Sequence, residues 1–287
     1  MEFLKIRFIS LLFVHVMLQS CIGDADLTGF VRSTDRIEDR FAISMDYNAD
    51  KTRIVNFDSE EYELIIGADL HIGDTVNYNR FLRDALSPEI AAMVLAGDVV
   101  TGKEEDYELL GRILPADNQK KAYLLTGNHE LYFDGWKHFS RLFGSSVYFF
   151  TVVTPGNSDL YVCLDSGSGT IGKSQLEWLR NLLTTSRKNH RYCVIFTHNN
   201  LFRNRFTLSA IPPENEVIVL MDLFLEHEVN MVVMGHDHIR AINHFGNTTY
   251  VTLDALADYH FTASYMKLRA AKGGLSYRFV EVNKAQK

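Results

Sequence analysis

Five short apolar runs, each followed closely by a polar block, constrain the fold of this chain more than any other feature. The runs are residues 64–66, 92–96, 123–125, 194–196 and 231–234. They do not alternate apolar with polar residues, a pattern typical of strands that are buried on both faces in a sheet covered by helices. Helical patterns occupy residues 78–86, 104–114, 136–143, 174–183 and 216–228. The sequence therefore predicts an α/β fold.

The polar blocks are rich in side chains that bind metal ions. In chain order they carry Asp69 and His71, then Asp98, then Asn128 with His129 and Glu130, then His198, then His236 and His238. Open α/β sheets bind ligands at the carboxyl ends of their strands, so we expect the blocks to converge on one rim. On a regular strand, Asp69 and His71 would share a face. Carboxylate, amide and imidazole groups together predict a dinuclear hydrolytic metal site.

The order of the blocks resembles the signature of the calcineurin-like metallophosphoesterase family. That signature reads D-x-H, G-D, G-N-H-D/E, a lone His and G-H-x-H, and all its parts occur in order from Asp69 to His238. The resemblance extends over roughly residues 60 to 287. It implies a fold of two packed mixed β-sheets flanked by helices, in four layers.

The resemblance also implies a role for each block. One divalent metal ion would be held by Asp69, His71 and His238 and a second by Asn128, His198 and His236, with Asp98 bridging both. Such ligands, without thiolate, suit Mn, Fe or Zn. His129 is expected to assist the leaving oxygen as an acid or hydrogen-bond donor rather than to bind metal. The Glu130 carboxylate is expected to orient the His129 ring.

The activity implied by the family is hydrolysis of a small phosphomonoester or phosphodiester, through attack of a hydroxide held by the two metal ions. The alternative is a catalytically silent, metal-bound binding module of a cell-envelope complex. The sequence lacks none of the expected ligands and retains His129. These residues favour the hydrolase.

Some groups within the family fit this chain poorly. Thr101 stands where purple acid phosphatases carry a tyrosine ligand, and residues 99–102 lack the Arg-Gly of the protein serine/threonine phosphatases. About 50 residues follow His238, too few for the second domain of the periplasmic 5′-nucleotidases. The compact single-domain, cyclic-nucleotide phosphodiesterase-like group remains. The chain departs from that group at Asn199 and Asn200, where His198 is usually followed by prolines.

The amino terminus has the features of a targeting segment. Lys5 and Arg7 precede an apolar stretch at residues 8–18 that is too short to span a bilayer, so residues 1–20 are predicted to be a signal peptide. The sequence Leu-Gln-Ser-Cys at residues 18–21 resembles a bacterial lipoprotein signal box. This implies export, lipid attachment to Cys21 and anchoring in a cell membrane or outer membrane. The alternative is an ordinary signal peptide with an incidental cysteine.

The remainder divides into two predicted parts. Residues 21–59 are interpreted as a lipidated tether, with possible edge strands at 41–44 and 53–57, and residues 60–287 as the metallophosphoesterase domain. A chain of 287 residues that is 46% hydrophobic can build one large α/β core. Its net charge of −7, without a basic stripe, argues against a nucleic-acid partner. Cys163 and Cys193, in predicted strands, are expected to be buried free thiols, and Asp165 to serve in a turn.

Overall fold

Two mixed β-sheets pack face to face in this computed structural model, which describes residues 35–73, 75–203, 205 and 210–282. The predicted signal peptide and Cys21 lie outside the described residues. The strands are β1 (Ile54–Asn56), β2 (Tyr62–Gly67), β3 (Ile90–Leu95), β4 (Lys121–Leu124), β5 (Tyr148–Val153), β6 (Ser158–Cys163), β7 (Cys193–Phe196), β8 (Met231–Met234), β9 (Ala241–Phe245), β10 (Thr248–Thr252), β11 (Ser264–Ala271) and β12 (Gly274–Glu281).

The helices lie on the outer faces of the sheets. They are α1 (Ile37–Asn48), α2 (Val76–Ala85), α3 (Glu104–Ile113), α4 (Trp136–Phe143), α5 (Gly172–Ser186) and α6 (Glu214–Glu226). Short 3-10 segments lie before α4, at His129–Asp134, and after α5, at Arg187–Asn189. Each of the five predicted helices is therefore present, as α2 to α6. No helix in the described part of the chain is both long enough and apolar enough to cross a membrane.

Strand order explains how distant parts of the sequence reach one rim. The seven-stranded sheet runs β1-β5-β6-β7-β8-β10-β9, and the five-stranded sheet runs β12-β11-β2-β3-β4. Strands β2, β3 and β4 are parallel neighbours in one sheet, and β6, β7 and β8 are parallel neighbours in the other. Parallel strands end at a common edge, so the loops that follow them meet there. The last two strands form the predicted antiparallel hairpin.

Three apolar layers hold the sheets and helices together. Between the sheets, Leu64 and Val94 from one pack with Phe150, Val194 and Val233 from the other, all fully buried. Helices α2, α3 and α4 cover the outer face of the five-stranded sheet, and α5 and α6 cover that of the seven-stranded sheet. This arrangement confirms the predicted four layers. Burial of apolar surface on both faces of each sheet is the main driving force for such packing.

One local prediction was wrong. Residues 41–44 were expected to form an edge strand but lie within helix α1. Arg40 and Ser44, four residues apart on one helical face, are both buried, and the Phe41 ring lies edge-on to Trp178 of α5 at 6.4 Å between centroids. The neighbouring strand prediction was right, because β1 pairs with β5 at the edge of the seven-stranded sheet.

The two strand cysteines follow the prediction. Cys163 ends β6 and Cys193 begins β7, and both are buried free thiols. Burial raises the pKa of both thiols, that of Cys193 to about 12. Both thiols therefore stay protonated and act as small apolar groups in the core.

Candidate metal centre

The predicted metal ligands meet where the parallel strands end. Five of them adopt the left-handed backbone conformation, with φ angles of 52° at Asp69, 44° at His71, 48° at Asp98, 71° at His236 and 59° at His238. Residues with a side chain rarely occupy this region, and such strain concentrates at functional sites. Asp69 and His71 do not share a strand face as predicted, since β2 ends at Gly67. The loops, rather than the pleat of a strand, direct these side chains inward.

A first group of donor atoms comes from the first and last blocks. Asp69, His71 and His238 are buried, and one ligand atom from each lies within 4.8 Å of the others. Asp69 Oδ1 is 3.3 Å from His238 Nε2, which is in turn 3.4 Å from His71 Nε2. The Asp69 carboxylate also accepts the backbone N–H of His236. The structure thus brings together the three residues predicted for one ion.

A second group lies beside the first. Asp98, His198 and His236 are buried, again with one ligand atom from each within 4.8 Å of the others. His198 Nδ1 lies 3.0 Å from the Ala96 carbonyl, which accepts a hydrogen bond from it. That bond leaves His198 Nε2, 3.2 Å from Asp98 Oδ2, as the ring nitrogen that faces the group. Burial opposes protonation of this ring, but Asp98 outweighs it and raises the pKa of His198 to about 10, so a metal ion bound here would replace a proton on Nε2.

Asn128 is the amide predicted for the second metal ion, and it follows Gly127, which packs against Asp98 and His198. Its Nδ2 donates to the Tyr132 hydroxyl at 3.0 Å. Its Oδ1 is buried and has no hydrogen-bond partner among the residues that the structure describes. A buried acceptor is normally satisfied, and an amide oxygen is a good ligand for a divalent ion. This unsatisfied oxygen therefore fits the donor set of a metal site.

Two glycines let the ligand loops approach one another. A Cβ on Gly127 would lie only 2.2 Å from Asp98 Oδ1, so any side chain there would displace the carboxylate. Gly97 has a φ of +84°, and a Cβ on it would lie 2.5 Å from His198 Nδ1. The glycine before Asp98 and the glycine before Asn128 are thus required by close packing around the site.

Glu130 has a different role from the one predicted. Its carboxylate accepts four backbone N–H groups, with Oε1 bound by Val99 at 2.7 Å and Val100 at 3.1 Å. Its Oε2 is bound by Asp98 at 2.8 Å and by Gly127 at 2.6 Å. It therefore fixes the loop that carries Asp98. The prediction that it orients the His129 ring was wrong, since the ring nitrogen Nδ1 lies 3.3 Å from the Thr101 carbonyl instead.

His129 lies against both groups. Its backbone N–H donates to Asp98 Oδ1 at 2.8 Å, and its Nε2 is 4.0 Å from Asp98 Oδ2. The ring centroids of His129 and His71 are 4.4 Å apart. A nitrogen in this position can reach a group bound at the centre, which is the geometric requirement for a general acid or hydrogen-bond donor.

The two aspartates favour a cationic partner. Burial opposes ionisation of Asp98, but the positive charges of His198 and His129 outweigh it and hold the pKa of Asp98 well below its ordinary value. Burial lowers the pKa of His71 to about 3, and burial and His198 lower that of His236 to about 4. Neutral imidazoles beside buried carboxylates can donate lone pairs to a cation, which would compete with protons for the same atoms.

Sequence reasoning missed residues that support the site from outside. Ser166 Oγ accepts the backbone N–H groups of His198 at 3.1 Å and Asn199 at 3.0 Å, so it fixes the loop after β7. Tyr132 holds the Asn128 amide. Asp165 Oδ1 accepts the Gly167 N–H at 3.2 Å, which is the predicted turn role, and its carboxylate also pairs with Arg40. The sequence signal that could have identified Ser166 is its position shortly after the strand that ends at Cys163.

The sequence model of the calcineurin-like phosphoesterase family matches residues 64–240, which is more than half of the chain, and the chain belongs to this family. Family membership and the histidine and aspartate clusters together indicate divalent metal binding and phosphoesterase activity. A search of curated proteins found no match.

Solved structures with the same fold are distant in sequence. GAP50, the anchor in the inner membrane complex of Plasmodium, is 9% identical, with a TM-score of 0.63 over 80% of this chain and 87% of that one. A dimetal phosphatase from Danio rerio is 13% identical, with a TM-score of 0.58 over 77% and 98%. A putative 5′-nucleotidase from Staphylococcus aureus is 12% identical, with a TM-score of 0.52 over 77% of this chain and 54% of its own.

Proposed function

We propose that this protein hydrolyses small phosphoesters, monoesters or diesters, with two divalent metal ions held by the predicted ligands. The observation that carries the proposal is the buried Asn128 Oδ1, which faces no hydrogen-bond donor among the described residues. It accompanies three overlapping clusters of carboxylate and imidazole groups, Asp69–His71–His238, His71–Asp98–His129 and Asp98–His198–His236. A purely structural role for these groups would leave an amide oxygen unsatisfied at a cost of about 1–3 kcal/mol.

The donor atoms divide into two sets. Asp69, His71 and His238 form one set, and Asn128, His198 and His236 form the other. Asp98 lies between the sets, since its Oδ2 is 3.2 Å from His198 Nε2 and its carboxylate also forms a cluster with His71 and His129. Mn, Fe or Zn suits these oxygen and imidazole ligands. When bound, divalent ions supply Lewis acidity and lower the pKa of water.

The protein's own groups would perform the remaining chemistry. His129, next to both sets, would donate a proton or hydrogen bond to the leaving oxygen as the phosphoester bond breaks. The Thr101 carbonyl near its Nδ1 would hold the ring in place. Glu130 would hold the Asp98 backbone through bonds to four N–H groups. None of these steps needs a serine or cysteine nucleophile.

The alternative is a metal-bound binding module without catalysis. GAP50 shares the fold and is described as an anchor. At 9% identity that likeness extends only to the fold. A metal-bound module would need the converging ligand atoms, but it would not require His129 beside them.

We further propose that the protein is exported and anchored by lipid. Residues 18–21, Leu-Gln-Ser-Cys, follow a basic and then an apolar segment, the pattern of a lipoprotein signal. Lipid on Cys21 would keep the catalytic domain at the cell envelope, where its phosphoester substrates would be encountered.

Activity and metal content should be measured on the same preparation. Protein stripped with chelator and reloaded with Mn²⁺ is assayed with 4-nitrophenyl phosphate, bis(4-nitrophenyl) phosphate and cyclic nucleotides. We expect turnover of at least one substrate and two metal ions per chain by elemental analysis. The Asp98→Asn variant, which removes one carboxylate charge between the sets, should lose both the turnover and the bound metal. Two bound ions without turnover of any substrate would favour the binding module.

A further inference from the structure

A loop outside the sequence blocks also reaches the metal centre. It joins β10 to β11 and carries Tyr259, His260 and Phe261. The Tyr259 ring lies 6.3 Å from the His71 ring between centroids, and the His260 ring lies 5.9 Å from the His238 ring. The loop therefore passes directly beside the Asp69–His71–His238 cluster.

This loop is fixed to the same backbone that carries the ligands. The Ala257 N–H donates to the Asp69 carbonyl at 3.1 Å, and Leu256 donates to Ala68 at 3.0 Å. The Asn77 amide at the start of α2 donates to the carbonyls of Leu256 and Ala257, each at 3.1 Å. The position of the loop relative to the site is therefore set before any ligand binds, which lowers the entropic cost of binding.

The Asp258 carboxylate, next to Tyr259 in this loop, binds the start of helix α2. Asp258 Oδ1 accepts the Asn77 N–H at 2.6 Å, and Oδ2 accepts the Val76 N–H at 2.9 Å. A cavity of about 370 Å³ opens here and is lined by His71, Gly73, Asp258 and Tyr259. This volume lies within the roughly 300–1,000 Å³ range typical of small-molecule sites.

Two aromatic residues of this loop are largely exposed, Tyr259, which lines the cavity, and Phe261, two residues further along. Tyr259 is 60% exposed and Phe261 is 84% exposed. The rings of His260 and Phe261 are stacked, with centroids 5.6 Å apart and an angle of 12° between their planes. Large apolar rings that stay in water beside a site mark a contact surface, because water contact costs free energy that a bound ligand would recover.

We propose that Tyr259 and the His260–Phe261 stack form an aromatic wall that contacts a planar ring of the substrate, next to its phosphoester. This inference rests on the proposed hydrolase function. The substrates would be phosphoesters bearing a heteroaromatic or aryl group, such as nucleotides, rather than sugar or glycerol phosphates. A ring placed in the cavity can contact Tyr259 while its phosphoester reaches His71 and the neighbouring donors. An aliphatic substrate would leave the exposed rings uncovered.

The test compares two substrates that share the 5′-oxygen of ribose as the leaving oxygen. Adenosine 5′-monophosphate and ribose 5-phosphate differ by the base, so the ratio of their kcat/KM values measures the contribution of the ring. Stacking of a base on an aromatic side chain predicts a preference of roughly 5- to 100-fold for the nucleotide. The Tyr259→Leu/Phe261→Leu double variant should lose most of this preference, while its kcat/KM for ribose 5-phosphate stays within about 2-fold of wild type.

If the chain accepts only diesters, the methyl esters of adenosine 5′-monophosphate and of ribose 5-phosphate form the equivalent pair, which again differs only by the base. Phe245→Leu is the control, since Phe245 is a 42% exposed aromatic residue at the end of β9 remote from the rim. Binding of adenosine 5′-monophosphate to the His129→Ala variant, measured by calorimetry with and without the two leucine substitutions, gives a readout independent of turnover.

The outcomes distinguish a failure of the proposed aromatic wall from a failure of the proposed hydrolase function. If the double variant loses the preference in kcat/KM for the nucleotide and also binds the nucleotide more weakly, while the Phe245→Leu variant behaves as wild type does, the aromatic wall is supported. Equal rates for both substrates in wild type, or an equal fall for both in the double variant, overturns it and leaves the hydrolase proposal standing. If no substrate is turned over although two metal ions are bound, the hydrolase proposal is overturned, and the aromatic wall with it.

Discussion

Arg40 and Asp165 form a fully buried ion pair between parts of the chain that are 125 residues apart. Arg40 Nε lies 2.8 Å from Asp165 Oδ2, and its Nη2 lies 3.0 Å from Oδ1, a two-pronged arrangement. Burial opposes ionisation of Asp165, but the Arg40 charge outweighs it and lowers the pKa of that carboxyl. The residue after Asp165 is Ser166, whose hydroxyl holds the backbone of His198. Helix α1 is thus connected to a ligand loop.

Removing either partner of this pair should destabilise the fold. Arg40→Met would leave the Asp165 carboxylate buried and uncompensated, which costs about 3–5 kcal/mol in comparable pairs. Urea unfolding measures the loss. Arg36→Met, at an exposed arginine just before the same helix, is the matched control and should change stability by less than about 0.5 kcal/mol. The prediction fails if Arg40→Met is no less stable than this control.

A double variant checks that the effect belongs to the pair. Arg40→Met combined with Asp165→Asn removes both charges, so it should be less destabilised than the sum of the two single variants. Additive losses would show that the two side chains act separately, and would contradict the coupling inferred from their contact.

The ion pair also explains which part of the fold was hard to predict. Apolar runs without alternation identified β2, β3, β4, β7 and β8, because burial on both faces selects their residues regardless of distant partners. Helix α1 was not recognised, since its buried face includes the polar residues Arg40 and Ser44. Their burial depends on Asp165 and Ser146, which only the tertiary structure brings near.

In the candidate site, too, one part could be predicted from the sequence and another could not. The identity and order of its ligands could be predicted, because each follows a recognisable strand. The way they converge could not, since left-handed backbone at Asp69 and His71 depends on hydrogen bonds to the neighbouring Asp98 loop. The role of Glu130 was hidden for a similar reason, because its partners are backbone N–H groups that carry no sequence signal.

Glu130→Gln should weaken metal binding without removing a predicted ligand. Each carboxylate oxygen of Glu130 accepts two N–H groups, whereas a glutamine would turn an NH₂ donor toward one of those pairs. The loop carrying Asp98 should shift, and we expect Mn²⁺ affinity to fall about 10- to 100-fold, the usual effect of losing an outer support. Calorimetric titration with Mn²⁺ measures the change. Glu105→Gln, at an exposed glutamate, should bind as wild type does.

His129→Ala separates catalysis from metal binding. If His129 assists the leaving oxygen, turnover of an alkyl phosphoester should fall roughly 10²- to 10⁴-fold, the range for a positioned acid or base. The defect should be smaller with 4-nitrophenyl phosphate, because nitrophenolate leaves without a proton. Metal content by elemental analysis should stay near wild type. A large loss of bound metal, or equal defects with both substrates, would instead make His129 a ligand or a structural residue.

The last prediction concerns Cys21, which lies outside the described residues. If the Leu-Gln-Ser-Cys sequence directs lipid attachment, the native protein should sediment with membranes, and mass spectrometry should find an acylated Cys21 at its mature amino terminus. One acyl chain binds a bilayer only marginally, whereas several give stable anchoring. Cys21→Ser should therefore give unprocessed precursor or soluble exported protein. Cys163→Ser serves as the control, since that buried cysteine should not affect location. An unmodified Cys21 in the wild-type protein would rule out the lipid anchor and leave the hydrolase proposal intact.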